Sequence, residues 1–137
     1  MIVSTRGRYA LRVLVDLAEH SQNKRIALKE IAERQEISQK YIEAIMTLLS
    51  KNDYVDAVHG KGGGFKLSKP LNDYKIGDIL RLTEGTLAPV ACLEENAQDC
   101  PRKKFCKTLP MWQKLDNLIE SYLDSISLAD LMKENIE

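Results

Sequence analysis

The sequence predicts a mainly α-helical fold: a winged helix-turn-helix followed by a long C-terminal helix for dimerisation. Three observations lead to this class. Two short amphipathic helices lie close together, a glycine-rich turn joins two strand-like runs directly after them, and an apolar helical stripe near the C-terminus is too long for a small domain to cover. A chain of 137 residues is expected to form one compact unit, with residues 1–70 as the winged helix-turn-helix and residues 71–137 as a cysteine segment and dimerisation helices.

The first helix is predicted over residues 5–19, with Ser4 as its N-cap. Its apolar residues recur at helical spacing and form a stripe that consists of Tyr9, Ala10, Val13, Leu14, Leu17 and Ala18. Arg6 and Arg8 lie in the first turn, where a cation opposes the helix dipole. A nearby phosphate would explain this placement, although a solvated helix end is the simpler explanation for either residue alone.

Two further helices form the predicted helix-turn-helix. The first has a small apolar face, Leu28, Ile31 and Ala32, and the chain breaks at Glu36 and Ile37 before Ser38, a good N-cap. The second buries one face, made of Ile42, Ile45, Met46 and Leu49, and exposes the opposite face, made of Gln39, Lys40, Glu43 and Thr47, with Tyr41 at its flank. This pattern fits a helix-turn-helix that reads DNA, and it fits a simple helical hairpin equally well.

The glycine-rich stretch favours the DNA-reading alternative. Residues 54–59 have strand character, residues 60–64 (GKGGG) can turn, and residues 65–67 run back. A hairpin directly after the second helix is typical of a winged helix, with Lys61 at the wing tip. A flexible surface turn is the alternative, since several glycines carry an entropic penalty. A phosphate-binding loop is a weak alternative, because the G-x-x-x-x-G-K-[ST] pattern is absent and Lys66 lies past the glycines on a strand.

Charge is distributed unevenly along the chain. The net charge is zero, but residues 1–70 carry 12 Lys and Arg against 8 Asp and Glu, a net +4, and residues 71–137 carry the opposite −4. The basic half therefore coincides with the predicted helix-turn-helix, as attraction to phosphate requires. The sequence has neither an apolar run long enough for a membrane span nor a secretory signal, so we expect a cytoplasmic protein with reduced cysteines.

The C-terminal half contains the other predicted helices. A short helix is predicted over residues 76–84, ending at Gly85 and burying Ile76, Ile79, Leu80 and Leu82. A long helix follows over residues 110–125, with apolar residues at Trp112, Leu115, Leu118, Ile119, Tyr122 and Ile126. Packing against a paired helix from a second subunit is the simplest way to bury that stripe, and burial within one chain is the alternative. Ser127 and Asp130 predict a capping box that starts a final short helix.

Three cysteines, Cys92, Cys100 and Cys106, fall in a segment without helical periodicity. Thiolates suit iron–sulfur clusters and zinc, although the close cysteine pairs of zinc fingers are absent and three inert thiols remain an alternative. Neighbouring Lys103, Lys104 and Lys107 would lower the thiol pKa values. An enzyme is not expected, because a catalytic thiol needs a nearby base and neither histidine of the chain is near a cysteine in sequence.

Motifs along nearly the whole chain resemble the Rrf2 family of bacterial transcription regulators. They occur in the family's order: residues 4–10 (STRGRYA), 31–35 (IAERQ), 37–38 (IS), 41–43 (YIE), 60–65 (GKGGGF), 76–79 (IGDI), 84–85 (EG), the cysteine segment and Trp112. The most similar branch is the IscR-like one, whose members are dimeric winged-helix repressors or activators that bind an iron–sulfur cluster. The resemblance implies Cys92, Cys100 and Cys106 as cluster ligands, residues 38–43 as the turn that enters the groove, and residues 59–62 as the wing.

The leading hypothesis is a homodimer that binds double-stranded DNA through individual side-chain contacts, with a solvated helix face as the alternative for Glu43. Glu43 would accept a hydrogen bond from N4 of cytosine, and Gln39 or Lys40 would contact purine edges. Backbone or minor-groove contacts would come from Arg6, Arg8, Tyr41 and Lys61. The capping Ser38 and the wing residues His59, Gly60 and Gly62 complete the predicted interface.

The chain departs from the IscR-like pattern at several positions. Leu109 replaces a histidine three residues after the last cysteine, and Arg8 occupies the position of an acidic ligand that other members use. The first cysteine gap is seven residues rather than five, and His59 stands where the wing often has arginine. A two-iron two-sulfur cluster is favoured over a four-iron four-sulfur one, and its fourth ligand is open: Glu94, Glu95, Asp99, a group of the partner subunit or a small thiol. The alternative is a clusterless regulator that responds to thiol redox state, zinc or a partner protein.

Overall fold

The computed structural model describes residues 3–21 and 24–133, and within them the chain forms six α-helices and a two-stranded antiparallel sheet. In chain order these are α1 (Thr5–His20), α2 (Leu28–Gln35), α3 (Gln39–Lys51), β1 (Val55–Val58), β2 (Gly64–Leu67), α4 (Ile76–Glu84), α5 (Leu109–Ser125) and α6 (Leu128–Met132). The predicted mainly α winged helix-turn-helix class is confirmed, and the three helices with predicted bounds, α1, α4 and α5, begin and end within one residue of those bounds. None of the helices in the described part is long and apolar enough to cross a membrane.

Helix α1 lies at the centre of the core. Its residues Ala10, Val13, Leu14 and Leu17 are completely buried, and α1 contacts α2, α3, α4, α6 and β2. Burying one such leucine stabilises the fold by about 2 kcal/mol. The same core contains residues from both halves of the chain, namely Ile31, Ile42, Ile45, Met46, Leu49, Val55, Tyr74, Ile79 and Leu128.

A tight turn joins α2 to α3. Glu36 ends α2 in the left-handed conformation, with φ of 55°, which costs a non-glycine residue about 1 kcal/mol. The N–H of Ile37 donates to the carbonyl of Ala32 at 3.1 Å, and Ser38 then caps α3 by accepting from the N–H of Tyr41 at 3.2 Å. The predicted break and N-cap are confirmed, and together they fix where the first turn of α3 begins.

A buried carboxylate that the sequence does not predict joins α2 to α1. Asp16 is 1% exposed, and its oxygens accept from Arg34 Nε at 3.0 Å, Arg34 Nη2 at 2.7 Å and Gln35 Nε2 at 2.9 Å. Burial raises the pKa of Asp16, but hydrogen bonds from Arg34 and Gln35 outweigh burial, so the pKa lies below its ordinary value. Arg12 adds bonds to the side chain and carbonyl of Gln35. This cluster holds the C-terminal end of α2, directly before the turn.

The wing is the antiparallel pair β1–β2, in register from Val55 opposite Leu67 to Val58 opposite Gly64. The predicted hairpin is confirmed. Ile26 additionally bridges the other edge of β2, exchanging hydrogen bonds of 2.8 and 2.9 Å with Phe65, which the sequence did not predict. Gly64 permits this approach, because a Cβ there would lie 2.6 Å from the carbonyl oxygen of Ile26.

Helix α4 packs closely on α5. A Cβ at Gly77 would lie 2.1 Å from Asp124, and Arg81 donates to both oxygens of Asp124 at 2.9 and 2.8 Å. The prediction for the buried face of α4 was right for three residues, but Leu82 is only half-buried, while Thr83 is buried. The predicted capping box of α6, formed by Ser127 and Asp130, is confirmed.

The apolar residues of α5 divide into two faces instead of one stripe. Ile119 packs against the cluster around Ile76 and Leu80, and Ile126, just past the helix end, is buried there too. The second face is exposed: Met111 by 54%, Leu115 by 37%, Leu118 by 59% and Tyr122 by 49%. Packing against α4 therefore covers one side of α5 and leaves a continuous apolar stripe on the other.

Candidate DNA interface and cysteine pocket

The polar face of α3 is open to solvent. Gln39, Lys40, Glu43 and Thr47 are exposed, as is the capping Ser38, because the opposite face of α3 is buried in the core. The first turn of α3 therefore presents an amide, an ammonium group and a carboxylate from neighbouring positions. Such a turn can reach base edges in a major groove.

A groove of about 400 Å³ lies between α3 and the wing. Glu43, Thr47 and Lys51 line it from α3, and His59 and Gly60 line it from the wing. The structure thus brings Glu43 and His59, predicted from separate motifs, to one groove. Thr47 and Lys51 do not belong to the interface predicted from the sequence, although they follow Glu43 at steps of four residues along one helix face, a signal that could have included them.

The wing tip lies beyond this groove. Lys61 and Gly62 are exposed and line no part of the groove, and Gly60 and Gly62 adopt φ values of 94° and 79°. These backbone angles reverse the chain at low cost only for glycine. An exposed ammonium group at such a tip is suited to a phosphate contact.

Tyr41 is held at the flank of α3 by α1. Its ring lies edge-to-face on Tyr9, with centroids 5.4 Å apart, and the guanidinium of Arg12 lies 5.1 Å above the Tyr9 ring. An aromatic pair of this geometry contributes about 0.5–1.5 kcal/mol beyond its buried area. The ring of Tyr41, which is 37% exposed, is therefore oriented rather than free.

Arg6 and Arg8 lie apart from the α3–wing groove, on the exposed first turn of α1. Arg6 Nη2 donates to the carbonyl of Thr83 at 2.6 Å, and Arg8 Nη2 donates to Thr5 Oγ1 at 3.2 Å. The carbonyls that end a helix carry partial negative charge. The end of α4 thus offers a structural reason for a cation at Arg6.

The three cysteines line one cavity of about 130 Å³. All are free thiols; Cys92 and Cys100 are exposed and Cys106 is half-buried. Of the predicted fourth ligands, Glu94 and Asp99 line the same cavity. In residues 3–21 and 24–133, however, no three His, Cys, Asp or Glu side chains converge closely enough to hold a metal ion. Thiolates are suitable donors for iron and sulfide, so the donor set fits a cluster provided that the segment tightens around it.

Comparison with known proteins decides the family. The Rrf2 family profile, described as "Iron-dependent Transcriptional regulator", matches residues 3–134. The chain belongs to the Rrf2 family. The protein rrf2 of Nitratidesulfovibrio vulgaris (strain Hildenborough) is 37% identical over 134 residues, which cover 98% of this chain and 89% of that protein.

Solved structures agree with this assignment. The IscR structure from T. potens has a TM-score of 0.75 and 36% identity, covering 98% of this chain and 88% of the other. The structure of CymR, the global cysteine regulator of B. subtilis, has a TM-score of 0.79 and 30% identity, covering 98% of both chains. This chain is accordingly an Rrf2-family, DNA-binding transcription regulator and not an enzyme.

Cys106 has the most distinctive environment among the thiols of this Rrf2 regulator. The hydroxyl of Thr108 lies 3.3 Å from its sulfur, and hydrogen bonding from Thr108 lowers the pKa of Cys106, with smaller contributions from the N–H of Leu109 and the charge of Arg102. The main cause therefore lies at the start of α5, and not in the neighbouring lysines that the sequence suggested. The lowered pKa favours the thiolate form of Cys106.

Proposed function

We propose that this Rrf2 regulator acts in the cytoplasm as a homodimer that reads a pseudo-palindromic DNA site and is switched by an iron–sulfur cluster. The observation that carries the DNA-reading proposal is the exposed polar turn of α3, whose Glu43 lines a groove closed by the wing. A buried turn could not reach base edges. In this protein the first turn of α3 is at the surface, because Ser38 caps the helix there and only the opposite face of α3 packs into the core.

Each part of the interface has a role in this proposal. Glu43 accepts a hydrogen bond from a cytosine amino group, and Gln39 or Lys40 meets purine edges. Phosphate or minor-groove contacts come from the other interface residues, which hold the register without specifying the sequence: Arg6, Arg8, Ser38, Tyr41, His59, Gly60, Lys61 and Gly62.

The exposed stripe on α5 supports the homodimer. Met111, Leu115, Leu118 and Tyr122 recur at steps of four, three and four residues, the spacing of a helix–helix seam. A large exposed apolar stripe marks an interaction surface, and a second copy of the same helix is self-complementary to it. Symmetry would then place two α3 helices in successive major grooves, spaced about one helical turn or more.

The cysteine pocket supports the cluster. In the proposal Cys92, Cys100 and Cys106 hold it, with Glu94 or Asp99 available as the fourth ligand. The resemblance to the IscR-like branch favours the two-iron two-sulfur form. When bound, such a group supplies one-electron chemistry and sensitivity to iron and oxidants. The chain's own contribution is to stabilise the Cys106 thiolate through Thr108 and to order residues 92–106, directly before α5.

A clusterless regulator is the second candidate. The lowered pKa of Cys106 favours it, because a thiolate that lines one cavity with two further thiols can respond to oxidants. Zinc, or a partner protein bound at the same segment, belongs to this alternative.

The DNA contacts are tested with Glu43→Ala. Affinities for a duplex selected from a random library by the wild-type protein are compared with affinities for a scrambled duplex, at fixed salt concentration. Glu43→Ala should reduce the free-energy difference between binding to the selected duplex and binding to the scrambled duplex by about 1–3 kcal/mol. The affinity for the scrambled duplex should change little. Glu33→Ala, which removes the same charge from the exposed surface of α2, is the matched control. Equal weakening on both duplexes would remove Glu43 from base recognition.

The cluster is tested by anaerobic reconstitution with iron and sulfide. We expect visible charge-transfer absorbance and equal amounts of iron and sulfide in the wild type, and loss of both in Cys92→Ser, Cys100→Ser and Cys106→Ser. Colourless, iron-free protein after reconstitution would favour the clusterless alternative. Zinc analysis and thiol titration of the same sample then separate a zinc site from free thiols.

A further inference from the structure

Glu84, the last residue of α4, bonds to the residue that caps α1. Its Oε1 accepts from the N–H of Ser4 at 2.9 Å and from the Ser4 hydroxyl at 2.6 Å. The same Ser4 oxygen accepts from the N–H of Gly7 at 3.1 Å. The carboxylate also lies at the positive end of the α1 dipole. The N-cap of α1 therefore depends on a side chain 80 positions away in sequence.

The first turn of α1 is pressed against the end of α4. A Cβ at Gly7 would lie 2.3 Å from Glu84 Oε1 and 3.0 Å from Thr83 Oγ1, so only glycine permits the contact. Arg6 bonds to the carbonyl of Thr83 from the same turn. The turn that carries Arg6 and Arg8 cannot move relative to α4 without breaking these contacts.

Glu84 also faces the cysteine segment. It lines a cavity of about 590 Å³, whose other walls include three residues that follow Cys92 and two acidic residues of α5, namely Leu93, Glu94, Glu95, Asp116 and Glu120. Arg81 lines this cavity too, and its guanidinium is bound by Asp124. Because most charged groups around the cavity are carboxylates, a shift of Glu94 or Glu95 changes the electrostatic potential at Glu84.

We propose that Glu84 transmits the state of the cysteine segment to the end of α1 that contacts DNA phosphates. This inference rests on the proposed function. When the three thiols converge on one ligand, residues 93–95 move with Cys92, and the hold of Glu84 on Ser4 changes with them. Arg6 and Arg8 are displaced as a consequence. Glu84 is a positioning residue, since the structure joins it to Ser4 rather than to a predicted base contact or a thiol.

The experiment compares the DNA affinities of the full chain in two states. In one state the protein is anaerobically reconstituted with iron and sulfide, and in the other it contains neither. The measured quantity is the ratio of the two affinities. Fluorescence anisotropy is used with a duplex selected by the wild-type protein. For the wild type we expect a ratio in the usual range of allosteric coupling, about 5- to 150-fold. In Glu84→Ala the ratio should fall to within about twofold of unity, with unchanged cluster absorbance.

Two variants control for structural damage. Glu84→Gln keeps an acceptor oxygen for Ser4 but removes the charge on which the neighbouring carboxylates act, so its ratio should fall as in Glu84→Ala while the contact with α1 is kept. Glu120→Ala removes a carboxylate from the same cavity without touching α1 and should retain the ratio. If circular dichroism shows that Glu84→Ala does not fold, Glu84→Asp replaces it, because the shorter side chain cannot reach Ser4.

The outcomes separate the inference from the proposed function. A wild-type protein that binds no duplex would overturn the proposed function itself. A wild type that binds DNA with the same affinity in both states, or a Glu84→Ala variant that keeps the full ratio, would overturn the role of Glu84 and leave DNA binding in place.

Discussion

Replacing Asp16 by Asn should destabilise the protein much more than a typical polar substitution. The carboxylate is 1% exposed and accepts three hydrogen bonds, two from Arg34 and one from Gln35. Hydrogen bonds to a charged group contribute about 1.5–3 kcal/mol each, and breaking a buried ion pair costs about 3–5 kcal/mol. Asn keeps one acceptor oxygen, and the Arg34 side chain is 31% exposed and regains water. The expected loss is therefore about 2–3 kcal/mol.

Thermal and urea unfolding at one protomer concentration measure this loss. A chain of this size shifts its melting temperature by about 3 °C per kcal/mol, so Asp16→Asn should melt about 6–9 °C lower than the wild type. Glu30→Gln is the matched control, since Glu30 pairs with the same Arg34 at 3.6 Å but is 58% exposed. Its effect should stay below about 0.5 kcal/mol.

The pH dependence provides a second check. The pKa of Asp16 in the folded protein lies below its ordinary value of 3.8. Its stabilising contribution is therefore present above about pH 4 and is lost as the pH falls through the folded pKa. The difference in the free energy of unfolding between wild type and Asp16→Asn should be full near pH 7 and should shrink as the pH falls below 3.8 and through the lowered pKa of Asp16. A difference that does not change with pH, or a Glu30→Gln variant that is equally unstable, would refute this account.

Three further predictions concern the α5 stripe, the base of the wing and the wing tip. Leu118→Glu places a charge on the exposed stripe and should convert a dimer to monomer in sedimentation velocity. Tyr74→Phe removes a buried hydroxyl that donates to the carbonyl of Tyr54 at 2.5 Å and accepts from the N–H of Ser68 at 3.1 Å, and should cost about 1–3 kcal/mol in urea unfolding. Lys61→Ala should reduce the salt dependence of DNA affinity, the slope of log K against log salt, by about one unit.

Each of these has a control on the same surface or of the same chemistry. Asn117→Glu adds the same charge elsewhere on α5 and should leave the dimer intact, so equal dissociation would remove the stripe from the interface. Tyr41→Phe alters a tyrosine that is 37% exposed and lies outside the α5 stripe, and it should change stability by less than about 0.5 kcal/mol. An unchanged salt slope in Lys61→Ala would show that the wing tip makes no phosphate contact.

Much of the fold was predictable because its signals are local. Ser4, Ser38 and Ser127 each cap a helix through an N–H three residues ahead, and the wing glycines supply φ values that other residues avoid. The exposed face of α3 follows directly from helical periodicity. Such features depend on neighbours within about four positions, which the sequence displays directly.

Long-range contacts could not be predicted in this way. Asp16 lies 18 positions from Arg34, and its burial depends on how α1 packs on α2. The division of the α5 stripe into a face against α4 and an exposed face depends on the close approach of Gly77 to Asp124. No local pattern specifies which of several apolar faces a neighbouring helix will cover.

The sequence by itself determined which segments form helices, where the wing turns and that the thiols fall in one segment. Only the tertiary structure decided that Glu43 and His59 line one groove, that the thiols line one cavity and that Glu84 binds Ser4, the N-cap of α1. The physical reason is that local structure follows from backbone geometry and hydrogen bonding between near neighbours. The meeting of distant side chains follows from the packing of the whole core.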